Sequence, residues 1–414
     1  MVRMNWKALT RKEIMLKVDA ALAKNQNYHN KPILGIPGTY LDEEEFYKDA
    51  AFLNDAPFLK TLVANPNHIG CHTLGHHSSP IFKGTHEIEK ELIAICAEQI
   101  FKGRKGQQDG YVATGGTEAN LEAMWIYRNY FRKEYGAKPE QIGVLFSEDT
   151  HYSIAKGCDL LQLNPIMLPV DFETRQIKQQ EFQSKVNQAK QKGIKYFIVI
   201  INLSTTMFGS VDEIDPIASF LEKEELPYKL HLDAAFGGFI YPFTNPHSEH
   251  NFSNPRVSSI SIDGHKMLQT PYGTGLFLIR KGFMHYVTTD EAQYVPGLDY
   301  TICGSRSGAN AIVIWMLLMT YGSKGWKNKM KELISRTDHL CNKLDELGIS
   351  YYRNPHINIV TIKANQIPDF IARKYELVAD TYEHRPTWWK IVVMDHVKWD
   401  LIQNFLTELE AEMV

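Results

Sequence analysis

The sequence predicts an α/β protein: a mostly parallel seven-stranded sheet with helices on both faces, followed by a smaller C-terminal α+β domain. Two observations predict it. Between Tyr111 and Ile279, seven short β-rich runs alternate with helical stretches, the pattern of a parallel sheet covered on both sides. Beyond Gly322-Ser323-Lys324-Gly325 the pattern changes to an amphipathic helix, two strands and a last helix. The size permits both: 414 residues, 44% of them hydrophobic and 22% charged, can bury a large core and divide into about two or three units. The divisions expected are an N-terminal helical segment over 1–65, a large domain over 66–322 and a small domain over 323–414.

A net charge of -3 argues against a nucleic-acid surface. No apolar run approaches the ~20 residues of a membrane span. The opening MVRMNWKALTRKE lacks the apolar centre of a signal peptide. The five cysteines (Cys71, Cys96, Cys158, Cys303, Cys341) are scattered without metal-ligand spacing, which suits reduced thiols in a cytoplasmic protein.

Taken in order, Thr10-Arg11-Lys12-Glu13 is a capping box, and Ile14, Val18, Ala21 and Leu22 recur at helical spacing. The apolar face of this helix is expected to pack on a partner subunit. Pro32 to Gly38 reads as extended, and Glu43–Leu53 and Phe58–Asn65 read as short helices. His72, His76 and His77 cluster in a loop-like stretch. No carboxylate or cysteine set completes a metal site there, so the stretch reads as a loop lining a cleft. Thr85 is expected to cap a helix with Ile88, Leu92, Ile95 and Ile100 on its core face.

The strand runs are Tyr111–Thr114, Ile142–Phe146, Ile166–Val170, Tyr196–Leu203, Lys229–Asp233, Ser258–Ile262 and Thr274–Ile279. Helical stretches lie at Glu118–Arg132, Glu181–Lys192 and Asp215–Lys223. Lys281 to Ser305 is long for a connection, as lids and binding loops are. Gly308–Tyr321 is an apolar helix, and a second helix runs from Trp326 to Leu347. Strands at Ile357–Ile362 and Lys390–Met394 and a helix at Val397–Glu410 complete the chain.

In parallel sheets ligands bind at the carboxyl ends of strands, so the chemistry is read from the residues just beyond each strand. After the first comes Gly115-Gly116-Thr117 opening a helix, a phosphate cradle in which glycines admit an anion to a helix N-terminus. The same pattern is also a plain strand–turn–helix connection. After the second comes His151, at the next helix start, which could stack on a planar ligand or simply cap. After the fourth comes the hydroxyl cluster Ser204-Thr205-Thr206. After the fifth comes Asp233, with Ala234-Ala235 behind it. A carboxylate there needs a partner and could hold a heteroaromatic nitrogen protonated, or cap a helix. After the sixth comes Asp263-Gly264-His265-Lys266. A lysine at the end of a buried strand is out of place unless it is paired or employed as a Schiff-base amine. An anion cradle, a stacking ring, an aspartate and a lysine at successive strand ends match the demands of one cofactor, pyridoxal 5'-phosphate.

The stretches TGGTEAN (Thr114–Asn120), SEDTHYS (Ser147–Ser153), STTMFGSVD (Ser204–Asp212), HLDAAFGG (His231–Gly238), SISIDGHKM (Ser259–Met267) and GSRSGA (Gly304–Ala309) resemble the group II pyridoxal-phosphate-dependent amino-acid decarboxylases of fold type I. That group includes the glutamate, histidine, aromatic and tyrosine/aspartate decarboxylases. The tail KIVVMDHV (Lys390–Val397) resembles the family's C-terminal domain. One departure is Ser204, where a glycine is common.

The resemblance implies decarboxylation of an L-amino acid, aromatic or acidic, to its amine. Lys266 would form the Schiff base, Asp233 would pair with the ring nitrogen, Ala235 would lie against the ring and His151 on its other face. Thr206 would sit near the 3-hydroxyl side of the ring. Gly115, Gly116, Thr117, Asp263 and His265 would hold or flank the phosphate. Asp263 would repel that phosphate unless turned away or hydrogen-bonded. The resemblance further implies a homodimer with the active site at the subunit interface. Its mobile loop, here Lys281–Ser305, would supply a tyrosine proton donor, Tyr294 in preference to Tyr300. Arg306 would help build the site or interface. His72, His76 and Phe82 are candidates to line the substrate pocket, the alternative being a solvent-exposed loop. Transamination, carbon–carbon cleavage and a non-catalytic homologue are the rival readings.

Overall fold

The computed structural model describes residues 4–24, 82–288 and 298–412. The sequence-predicted helices at 43–53 and 58–65, the residues His72, His76 and His77, and Tyr294 lie outside them. Seven strands are ordered β1-β7-β6-β5-β4-β2-β3 in one sheet: β1 (Gln108–Ala113), β2 (Ile142–Ser147), β3 (Asn164–Leu168), β4 (Tyr196–Asn202), β5 (Tyr228–Asp233), β6 (Val257–Asp263) and β7 (Gly275–Arg280). Pairings β2–β3, β2–β4 and β4–β5 are parallel. β7 runs antiparallel to both β1 and β6. The sheet was therefore legible as mostly parallel, but the antiparallel β7 leaves no distinct mark on the sequence.

The chain forms two compact units, residues 1–136 with 251–324 and residues 137–250 with 325–414. In the first unit, helix α1 (Arg11–Lys24) starts with the expected capping box. Thr10 N–H donates to Glu13 Oε2 at 2.7 Å, and Glu13 N–H donates to Thr10 Oγ1 at 3.3 Å. Its buried residues Ile14, Val18 and Ala21 face helix α2 (Lys83–Ala94) of the same chain. The contact is close: a Cβ on Gly84 would lie 1.7 Å from the Ala21 carbonyl oxygen. Helix α2 begins two residues before the expected cap. Thr85 is buried inside its first turn, and Phe82 precedes it without a side-chain cap. The helix then loosens into a π-turn at Ile95–Ile100.

Helix α3 (Gly116–Tyr135) buries Ala119, Ala123, Met124, Ile126 and Tyr127 and ends at Gly136 in the left-handed region, where glycine carries no Cβ penalty. Tyr127 bridges to β6 by a hydrogen bond to Ser259 Oγ.

In the second unit, helices α4 (Ser153–Leu161), α5 (Gln179–Gln191) and α6 (Asp215–Lys223) accompany strands β2 to β5. Both α5 and α6 have an apolar stripe: Phe182, Val186 and Ala189 on α5, and Ile217, Ala218 and Leu221 on α6.

Helix α7 (Gly308–Glu346) spans the stretch read as two helices. Gly322, at φ 58° and ψ 178°, breaks the helical path, and the helix resumes at once. The kink has a local cause, because the N-terminal arm crosses there. Leu9 N–H donates to the Met319 carbonyl, Ser323 N–H donates to the Trp6 carbonyl, and a Cβ on Gly322 would meet Ala8 N at 2.4 Å.

The remaining chain adds β8 (Tyr351–Tyr352), β9 (Ile359–Lys363), α8 (Asp369–Lys374), β10 (Val378–Ala379), β11 (Trp388–Val392) and α9 (Trp399–Ala411). Its four-stranded antiparallel sheet, in the order β10-β11-β9-β8, packs with Leu344, Ile371, Ile402, Phe405 and Leu409 into one core. Each such buried side chain contributes roughly 1.5–3 kcal/mol. Among the described residues, no helix is long and apolar enough to cross a membrane.

Candidate active site

In the first unit, the turn between β1 and α3 meets the turn after β6. Gly115 has φ 154° and ψ 179°, a conformation open in practice only to glycine. A Cβ there would lie 3.3 Å from His265 Cε1. Gly116 opens α3, and its N–H donates to Asp263 Oδ1 at 2.5 Å. Asp263 ends β6 and is 3% exposed. Its other oxygen lies 2.9 Å from Lys266 Nζ and 3.6 Å from His265 Nε2. The repulsion expected between Asp263 and a phosphate is thus moderated: the carboxylate is hydrogen-bonded and paired.

Lys266 is partly exposed and tied to the Gly116 turn through Asp263. The His265 ring donates from Nδ1 to the Thr274 carbonyl at 2.9 Å, and the exposed Tyr272 ring stacks on it at 5.1 Å. Thr117 is half-buried in the first turn of α3.

Behind this turn lies a buried polar cluster around Arg306, whose partners sequence reasoning missed. Arg306 is 5% exposed, and its guanidinium bonds both oxygens of Glu89 and the Val112 carbonyl. It also lies 5.1 Å over the Tyr111 ring. Val112 N–H donates to the same Glu89 at 2.8 Å. Arg306 therefore braces β1 from within. Tyr111 OH donates to Glu118 and Glu122 at 3.1 and 3.3 Å, and Ile302 N–H donates to Glu122 at 3.2 Å. Burial pushes the Glu122 carboxyl well above its ordinary range. The i, i+4 spacing of Glu118 and Glu122 is visible in the sequence, but their orientation inward is not. Tyr300 is half-buried, and burial, aided by Asp109, pushes its phenol up.

In the second unit, the turn after β2 carries His151, two residues before α4 begins. Ser153 N–H donates to His151 Nδ1 at 3.3 Å, so this nitrogen is an acceptor and the proton belongs on Nε2. The turn is fixed on either side of Thr150. Arg175 forms a buried ion pair with Asp149, and its guanidinium lies 3.8 Å over the Phe208 ring. Asn202 Nδ2 donates to Thr150 Oγ1 at 2.8 Å and to Asp212 at 2.6 Å. Burial pushes the Asp212 carboxyl up to about 7. Neither Asn202 nor Asp212 was expected at this site.

Asp233 ends β5 opposite Asn202 of β4 and is 6% exposed. Ala235 N–H donates to its Oδ1 at 3.1 Å. His231, on the same face of β5, is fully buried, and burial, opposed by Asp233, lowers its imidazole to about 4. Thr205 and Ser210 bond each other through their hydroxyls at 2.7 Å. Thr206 is exposed, and its carbonyl accepts from Lys390 Nζ at 3.1 Å. Ser204 lies in the left-handed region at φ 84°.

These residues fit pyridoxal phosphate on chemistry visible in each unit: a glycine turn at a helix start beside a lysine, and a buried strand-end carboxylate beside an orphaned buried hydroxyl, Ser204 Oγ. Among the described residues, no three His, Cys, Asp or Glu side chains converge as metal ligands.

Residues 41–357 match the model of the pyridoxal-dependent decarboxylase conserved domain. The chain belongs to the pyridoxal-dependent decarboxylase family, and it is a pyridoxal-phosphate-dependent amino-acid decarboxylase. It is 49% identical over 404 residues to a tryptophan decarboxylase of Clostridium sporogenes, covering 98% of this chain and 97% of that protein. It is 30% identical over 294 residues to a histidine decarboxylase of Vibrio anguillarum, covering 70% of this chain and 72% of that one. Among solved structures, L-methionine decarboxylase of Streptomyces sp. 590 superposes with a TM-score of 0.71 at 17% identity, covering 97% of this chain and 95% of that one. That likeness is one of fold, the fold-type I architecture.

Proposed function

We propose that the protein decarboxylates an aromatic L-amino acid to its amine, as a cytoplasmic homodimer. The observation that carries the substrate class is the 49% identity, over nearly the whole of both chains, to a protein named tryptophan decarboxylase. Pyridoxal phosphate, when bound, supplies an electron sink for the pair released from the breaking carbon–carboxylate bond.

The chain's own residues do the rest. Lys266 would be the amine that holds the cofactor in the resting enzyme. Asp233 would pair with the ring nitrogen and hold its proton, which would stabilise negative charge on the ring. His151 and Ala235 would cover the two ring faces. Gly115 and Gly116 allow close approach of the phosphate, while Thr117 and the start of α3 hold it. Asp263 and His265 flank it, Asp263 having its own partners. Thr206 would lie on the 3-hydroxyl side. Tyr294 returns a proton to the substrate's α-carbon. Arg306 would build the site by bracing β1, and His72 would contribute to the substrate pocket. The cofactor is carried by the 66–322 domain, with 323–414 as the small domain and the subunit interface completing the site.

The test is a screen of the twenty amino acids for amine and carbon dioxide. An aromatic substrate should be preferred over glutamate and aspartate. Preference for an acidic one would overturn the assignment.

A further inference from the structure

One polar network of the second unit takes no part in the chemistry assigned above. It centres on Asn202, the last residue of β4. β4 lies between β2 and β5 in the sheet, so Asn202 has the His151 turn on one side and Asp233 on the other. Towards β5, Asn202 is in register with Asp233, and the next residue, Leu203, donates its N–H to the Asp233 carbonyl at 2.8 Å. Towards β2, the Asn202 side chain crosses to the turn. Its Nδ2 donates to Thr150 Oγ1 at 2.8 Å and lies 3.2 Å from Ser147 Oγ. Thr150 N–H in turn donates to the Ser147 carbonyl at 3.0 Å, and the two hydroxyls are 3.2 Å apart. His151 is the next residue of that turn.

Asn202 is itself held. Asp212 Oδ2 accepts from Asn202 N–H at 2.9 Å and from Nδ2 at 2.6 Å, and Asp212 N–H returns a bond to the Asn202 carbonyl at 3.0 Å. Asp212 thus fixes both the backbone and the side-chain amide of Asn202. Asn202, Asp212 and Ser147 are 2%, 1% and 0% exposed. Burying polar groups is costly unless they are bonded, and apolar groups of the same shape would hold a strand end about as well. What a bonded buried network adds is a fixed geometry.

We propose that Asn202 is a positioning residue: held by Asp212, it fixes the His151 turn against the strand end of Asp233 and so sets how the His151 ring lies over the cofactor. The inference rests on the assignment of His151 and Asp233 to the cofactor. Asn202 acts through these neighbours rather than on the reacting atoms. Its effect falls on rate, because a small displacement of a group that meets the reacting system costs more than the lost bond itself. Thr150 is the link to break, because its hydroxyl ties Asn202 to the residue before His151.

The test uses the full-length, cofactor-loaded enzyme. Two quantities are read: the visible circular dichroism of bound pyridoxal phosphate, and kcat and KM with whichever of L-tryptophan, L-tyrosine and L-phenylalanine the wild type turns over fastest. Thr150→Val keeps the shape and removes the hydroxyl. It should lower kcat about tenfold with KM changed far less, and it should weaken or shift the dichroic band. Thr150→Ser keeps the hydroxyl and should restore both. Asn202→Ala should lose at least as much as Thr150→Val; should it fail to fold, the Thr150 pair decides. Wild-type kcat and band in Thr150→Val, with or without a lower thermal midpoint, would make the network merely structural and overturn the inference. Equal losses in Thr150→Val and Thr150→Ser, or a lost kcat with an unchanged band, would overturn it too. A wild-type enzyme inactive on all three amino acids would overturn the substrate class and leave the band to decide the positioning role. A wild-type protein without the pyridoxal-phosphate band would overturn the assignment of the site, and this inference with it.

Discussion

After β6, Asp263 accepts from Gly116 N–H and pairs with Lys266, and His265 is fixed to the Thr274 carbonyl. After β4, Ser204 is strained and its hydroxyl is unbonded among the described residues. Both turns stand at carboxyl ends of strands, where ligands bind in such sheets. The first completes itself with protein groups, so it orients the lysine before any substrate arrives. The second is strained and leaves its hydroxyl unbonded among the described residues, at a cost to folding. The two turns therefore differ in kind: one is a closed network around Asp263, and the other leaves a buried hydroxyl unbonded among the described residues.

The comparison predicts opposite signs for similar truncations. Asp263→Ala leaves the buried Gly116 N–H without an acceptor and should destabilise the protein by about 1–3 kcal/mol, read as a drop in thermal midpoint. Ser204→Gly should stabilise it, by the smaller amount that relieved backbone strain supplies. A stabilised Asp263→Ala would break the contrast.

A third buried group, Asp212, has its carboxyl raised by burial from 3.8 to about 7. A raised acid keeps its proton in the folded state while the unfolded chain ionises. Its contribution to stability is therefore full below pH 3.8 and is lost as pH rises through about 7. Asp212→Asn, neutral throughout, should gain on wild type across that window and hold a constant difference above it. Denaturant melts at several pH values measure this, and a pH-independent difference would mean that Asp212 is ionised in the folded protein.

Much of this architecture was legible in the sequence. All seven strands of the large sheet were found within a few residues, because alternation of β-rich and helical runs is a strong periodic signal. Lys266, Asp233, His151 and the Gly115-Gly116 turn stood out because each lies at or just past a strand end. What escaped notice was non-local. The inward Glu118 and Glu122 look like ordinary helical acids, and their burial depends on Tyr111 and on Ile302, 180 residues from Glu122. The kink at Gly322 depends on an arm more than 300 residues earlier in the chain. Thr85 was misread as a cap because β-hydroxyl residues favour that position, whereas the helix already begins at Lys83, with Gly84 packed against Ala21. The departure at Ser204 was visible as a residue type, but its positive φ was not.

The most direct measurement is to reduce the cofactor-loaded enzyme with borohydride, digest it and locate the pyridoxyl group by mass spectrometry. The label should fall on Lys266 alone, and Asp263→Asn should leave its position unchanged. A label on any other lysine, with Lys266 unmodified, would contradict the assignment of the nucleophile on which every other role in the site depends.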